Sequence, residues 1–105
     1  MNRQGDVLLV PVRRLRRKLT PVPRDAGRLV LAYGEITGHA HVIDAPPEEA
    51  TLLTDEQERR FLRLMTAAPL VHEEHATQII APGTYEVRRQ REYTAADMPA
   101  RAVRD

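Results

Sequence analysis

Apolar and β-branched residues fall in short runs along this chain, and each run stops within a few positions at a charged or turn-forming residue. Val7-Leu8-Leu9-Val10-Pro11-Val12 predicts a buried strand, and Pro11 points to an edge or a bulge because proline donates no ladder hydrogen bond. Arg28 to Tyr33 and Thr37 to Ile43 predict a second and a third strand, paired as a hairpin through Gly34-Glu35. Leu52-Leu53 forms a further short run before the charged turn Thr54-Asp55-Glu56-Gln57-Glu58. Arg60 to Met65 fits a strand or a helical turn by periodicity, and a strand is preferred. Leu70-Val71-His72 and Gln78-Ile79-Ile80 continue the series up to the turn Ala81-Pro82-Gly83. Thr84 to Tyr93 alternates, with Tyr85 and Val87 facing one way and Glu86 and Arg88 the other.

Short strands separated by turn signals, with no long helical stripe, predict an all-β fold, a small antiparallel barrel or sandwich. A chain of 105 residues suffices for one core, so residues 1–105 are read as a single domain. Residues 13–27, with Arg13, Arg14, Arg16, Arg17 and Lys18 and two prolines, are expected to form a flexible basic loop, and 94–105 a frayed tail or short helix.

Composition narrows the chemistry. There is no cysteine, which removes disulfides, thiolate metal sites and thiol nucleophiles together, and there is no serine to act as a nucleophile. No apolar run approaches the roughly 20 residues of a membrane span, so no membrane partner is expected and the chain is read as cytoplasmic. Net charge is +1, yet residues 1–28 carry seven Arg and one Lys against two Asp, while 44–58 carry six acids and no base. All but one of the sixteen basic residues are Arg, a bias that a GC-rich genome also produces. Arg is the side chain best suited to forked contacts with phosphate. The basic loop, together with Arg88, Arg89 and Arg91 between Tyr85 and Tyr93, is therefore a candidate surface for RNA or DNA. The acidic 44–58 segment is a candidate docking surface for a phage or host partner.

The four histidines lie in two clusters, His39-Ala40-His41 and His72-Glu73-Glu74-His75. Positions i and i+2 of a strand share a face, so His39 and His41 project together with Thr37 and Ile43, away from Gly38, Ala40 and Val42. His72 and His75 are three apart, which puts them on opposite faces of a regular strand unless a bulge or turn intervenes. A three-nitrogen, one-oxygen set of His39, His41, one of His72 or His75, and a Glu suits zinc, iron, manganese or nickel, and no organic cofactor is indicated. Glu73 or Glu74 is the expected proton acceptor if the site is catalytic. A metal-free version uses two histidines as general acid and base.

Arg3-Gln4-Gly5-Asp6-Val7, Gly34-Glu35-Ile36-Thr37-Gly38-His39-Ala40-His41, Leu70 to His75 and Pro82 to Tyr93 resemble the motifs of a group of small uncharacterised phage and bacterial proteins. A second resemblance is to cupins, β-barrels whose metal sits on a His-x-His strand and a later His. His39-Ala40-His41 matches the first element, but the Glu that follows it in cupins is missing, and Pro82-Gly83 comes after the second histidine cluster. That resemblance implies a barrel with an internal metal site.

Overall fold

The predicted runs become strands in the computed structural model, which describes residues 1–15, 18–34 and 38–90. Among these residues there is no helix, and the strands are β1 (Asn2–Gln4), β2 (Val7–Pro11), β3 (Thr20–Pro21), β4 (Leu29–Tyr33), β5 (Ala40–Ile43), β6 (Ala50–Thr54), β7 (Arg60–Leu64), β8 (Ala68–His72), β9 (His75–Ile80) and β10 (Gly83–Arg89). They form two antiparallel sheets, ordered β1-β2-β10-β7-β6-β3 and β4-β5-β8-β9. Neither sheet closes on itself, so the architecture is a sandwich, not the barrel that the cupin resemblance implied.

Period-two alternation explains how the sheets adhere. Leu9, Leu52 and Leu62 of the larger sheet and Leu31, Ile43, Leu70 and Ile80 of the smaller meet in one core, each at most 3% exposed. On β10, Tyr85 turns into this core and its hydroxyl donates to Ala81 O at 2.6 Å, which satisfies the polar end of a buried ring. The alternate positions Glu86 and Arg88 face out and pair at 2.8 Å. Val7 to Leu9 is buried on both faces, whereas Pro11 lies at the end of β2 beyond the reach of β1, which pairs only with Val7, Leu8 and Leu9.

Tight turns set the positions of several polar side chains. Gln4 pairs with Val7, leaving Gly5 and Asp6 as a two-residue hairpin loop; Gly5 has φ +59° at its first central position, where a II′ turn places glycine. β4 and β5 pair as the expected hairpin, although residues 35–37 of its turn, Thr37 among them, lie outside the described residues. Asp55, inside the acidic 44–58 segment, is buried and caps the β6–β7 turn, its carboxylate accepting from the N–H groups of Gln57 and Arg59 and from Arg59 Nε. The basic loop is exposed at Arg13, Arg14 and Lys18, but Thr20 and Pro21 already pair with β6. Arg16, Arg17, Arg91 and the expected tail at 94–105 lie outside the described residues.

Candidate functional site: a four-histidine cluster

β5 alternation sends His41 to the core side with Ile43, and its side chain is 2% exposed. His39 precedes the strand. The second cluster is a tight turn: His72 ends β8, His75 begins β9, and the two are cross-strand partners with only Glu73 and Glu74 between them. A register shift between Leu70 and His72 accompanies this turn. Of the two arrangements left open by sequence, the turn is the one adopted, and both histidines join the site. Ring centroids of His41 and His72 are 4.2 Å apart, those of His72 and His75 4.7 Å, of His39 and His72 5.9 Å and of His41 and His75 6.0 Å. The cluster grades from buried His41 and His72 to exposed His75.

The N-terminal hairpin closes the site from the other sheet. Gln4 is 1% exposed, and its Nε2 donates to Leu70 O and to Ala76 O, each at 2.9 Å. It thus bridges β8 and β9 where their register slips. Two carbonyls can be faced only by the NH₂ end of the amide, so Oε1 is the atom that meets His41 Nδ1 at 2.9 Å. His41 Nδ1 must then be the donor, and its Nε2 carries a lone pair whenever the ring is neutral. Burial, joined by the neighbouring His72, drives the His41 pKa down to about 4 against the opposing pull of Asp6, so the ring is neutral at pH 7.

His41 Nε2 faces Asp6 Oδ1 at 3.5 Å. Asp6 is held from the other side by Arg89 on β10, whose Nε and Nη2 donate to Oδ2 at 2.9 and 2.8 Å. Burial works to raise the Asp6 pKa, but the hydrogen bond and charge of Arg89 outweigh it and leave the carboxyl below its ordinary value. A lone pair and a carboxylate oxygen therefore confront each other, and neither offers a hydrogen. Gly5 admits this approach: a Cβ there lies 2.7 Å from His75 Nε2 and 3.3 Å from His41 Cε1.

The other two rings are set differently. Glu74 N–H donates to His72 Nδ1 at 3.0 Å, so neutral His72 carries its proton on Nε2. His39 Nδ1 is buried without a hydrogen-bond partner among the described residues and lies 3.4 Å from Glu74 Oε2. Glu73 Oε1 accepts from Ala40 N–H at 3.1 Å, pinning the start of β5 to the β8–β9 turn, and backbone hydrogen bonds, this one among them, lower its pKa. Among the described residues no three His, Asp or Glu side chains are arranged to hold a metal ion. Two histidine–carboxylate pairs come close, His39 Nδ1 with Glu74 Oε2 and, more deeply buried, His41 Nε2 with Asp6 Oδ1, and the exposed His75 ring lies 6.0 Å from that of His41.

The arginines proposed for nucleic acid divide. Arg88 lies against Glu86 and Arg89 is committed to Asp6, whereas Arg13, Arg14 and Lys18 are exposed. Gln4, Asp6 and the role of Arg89 escape a reading built on the histidines. The signal was Gly5-Asp6 itself, a hairpin dipeptide immediately before the first apolar run.

A family model described as "Domain of unknown function (DUF8820)" matches residues 3–90, a span that contains every site residue from Gln4 to Arg89. The chain belongs to this family. No curated protein and no solved structure matches it. Among the described residues of this family member, no helix is long and apolar enough to cross a membrane.

Proposed function

We propose that the histidine cluster binds one divalent transition-metal ion, with His41 Nε2 and Asp6 Oδ1 as the first two ligands and His75 as the third. The observation that carries this reading is the 3.5 Å approach of the His41 lone pair to the Asp6 carboxylate. Two acceptors at that distance repel unless a proton or a metal ion lies between them, and the lowered pKa values of both groups disfavour the proton. Ligands about 2.1 Å from a tetrahedral ion stand about 3.4 Å apart, close to the spacing found. The outer groups support the same reading, since a ligating imidazole donates its other N–H to a fixed acceptor, and Gln4 is that acceptor for His41. His75 is exposed and completes the set by rotating its side chain. A nitrogen-and-oxygen set of this kind suits zinc, iron, manganese or nickel. Of the two turn glutamates, Glu74 would be the proton acceptor for water on such an ion, because Glu73 is occupied by Ala40 N–H.

The test is titration of untagged, chelator-stripped protein with Zn²⁺, Ni²⁺, Mn²⁺ and Fe²⁺, read by calorimetry and elemental analysis. One equivalent is expected for wild type, and a His41→Ala variant that remains folded should lose it. Failure of every one of these ions to bind stoichiometrically overturns the reading.

A second reading is favoured by the fixed tautomers. His41 offers a lone pair at Nε2 and His72 a proton at Nε2, which is the division of labour of a general base and a general acid. Absence of metal binding, with His41 and His72 showing those opposite tautomers, supports this reading over the first. The nucleic-acid alternative rests on Arg13, Arg14 and Lys18 among the described residues, and salt-dependent retention on RNA or DNA lost on their replacement is its test.

A further inference from the structure

The residues that alternate with His41 and Ile43 build a second feature on the opposite face of the small sheet. Ala40 and Val42 of β5 and Val71 of β8, with Val42 and Val71 directly paired across the strands, floor a cavity of about 680 Å³. One wall is the Arg24 to Arg28 turn and the other the Pro46-Pro47 segment. The volume lies in the range of small-molecule sites, and the floor is apolar.

The charge on the wall identifies the class of ligand. Arg24 is half-buried, and its Nη1 and Nη2 donate to Gly27 O at 3.3 Å and Ala50 O at 3.2 Å. Those carbonyls orient the guanidinium but leave its charge uncompensated: among the described residues no carboxylate lies within ion-pair distance of it. Arg28, also on the wall, meets a carboxylate only at 4.0 Å, and that carboxylate, Asp25, is shared with the Tyr33 hydroxyl. The two acids of the lining, Asp44 and Glu73, lie beyond ion-pair distance of both guanidiniums. A half-buried cation beside an apolar floor is stabilised by an anion that brings its own apolar surface.

We propose that this cavity binds a small organic carboxylate with an apolar body, its carboxylate on Arg24 and Arg28 and its body on Val42 and Val71. The guanidinium fork matches the two oxygens of a carboxylate. The cavity borders the histidine cluster, since His72 and Glu73 also line it, but the proposed metal ligands Asp6, His41 and His75 do not, so the two readings can be tested separately.

The experiment is a backbone-amide NMR titration of the full chain with hexanoate, hexanamide and acetate. Hexanoate is expected to saturate with a Kd of about 1 mM or tighter and to shift the amides of Val42 and Val71. Hexanamide, which keeps the body without the charge, and acetate, which keeps the charge without the body, are each expected to bind at least tenfold more weakly. An Arg24→Gln, Arg28→Gln double variant should lose tenfold or more in hexanoate affinity. Val42→Phe, which fills the cavity and leaves both guanidiniums in place, should do the same. Equal binding of hexanamide reduces the cavity to an apolar face, and equal binding of acetate to an adventitious ion only; either overturns the proposal. So does a hexanoate response centred on Gln4 and His41, or one unchanged by Val42→Phe.

Discussion

Gln4→Leu is the perturbation that probes the site's construction most directly. The substitution keeps the approximate volume of a side chain that is 1% exposed, and it removes three hydrogen bonds at once. Two of the abandoned partners, Leu70 O and His41 Nδ1, are buried, and Ala76 O is partly so. A buried polar group left without a partner costs about 1–3 kcal/mol, so the two buried ones together cost about 2–6 kcal/mol. The apolar gain of leucine offsets about 1–2 kcal/mol of this. The centres of these ranges leave a net loss of about 2.5 kcal/mol, a large share of the 5–15 kcal/mol typical of a domain. At a slope of about 1–2 kcal/mol per molar urea, the unfolding midpoint falls by roughly 1–2.5 M. Urea unfolding followed by circular dichroism measures it. Long-range ¹⁵N–¹H correlation of the histidine rings supplies a second readout, with His41 protonated on Nδ1 in wild type and released from that restriction in the variant. A loss below about 0.5 kcal/mol, or a wild-type His41 protonated on Nε2, refutes the account of Gln4 as the residue that sets the tautomer.

Three further outcomes are expected. Because burial and His72 depress the His41 pKa to about 4 from 6.5, the unfolded state binds more protons across that window, so stability present above pH 6.5 is lost as pH falls towards 4. The loss is about 3 kcal/mol for chelator-stripped protein, and a folded His41→Phe variant should show a correspondingly flatter profile in urea melts at pH 7 and 4.5. A double-mutant cycle of Asp6→Asn with Arg89→Met should return a coupling of about 1–2 kcal/mol, below the full value of a charged hydrogen-bonded pair because both side chains are 25% exposed; a coupling near zero contradicts the clamp. Leu62→Ala, at a fully buried position in the larger sheet, should cost about 2–5 kcal/mol in the same melts, and a cost under 1 kcal/mol would mean that the two sheets do not pack as described.

The strands from Val7, Leu29, Arg60 and Thr84 were readable from local pattern because each buries one face or both. The same alternation put His41 on the face of Ile43, whereas His39 precedes β5 and meets the cluster through His72. The HEEH segment was not readable, because Glu-Glu carries none of the Gly or Asn signature of a two-residue hairpin, and only the pairing of β8 with β9 shows that His72 and His75 stand side by side. β1 was missed because three polar residues carry no hydrophobic period; Gln4 is buried not by its own character but by three partners found 37 to 72 positions away. Arg89 read as part of a basic strand for a related reason. Charge is visible in a sequence, but the carboxylate that neutralises it, 83 residues distant, is not.

The clamp between Asp6 and Arg89 also bears on when the site comes into being. β2 joins β10, so closing the sandwich at this end brings together segments from opposite ends of the described chain, and the entropy of closing so long a loop must be met before any contact there is gained. Partly folded chains that have assembled only β4 to β9 hold all the histidines yet lack Asp6, Gln4 and Arg89. On the metal reading proposed above, affinity at the cluster would require the β2–β10 pairing, and an ion held there would act as a latch on the finished fold, stabilising the native state by mass action while giving little to chains that lack that pairing.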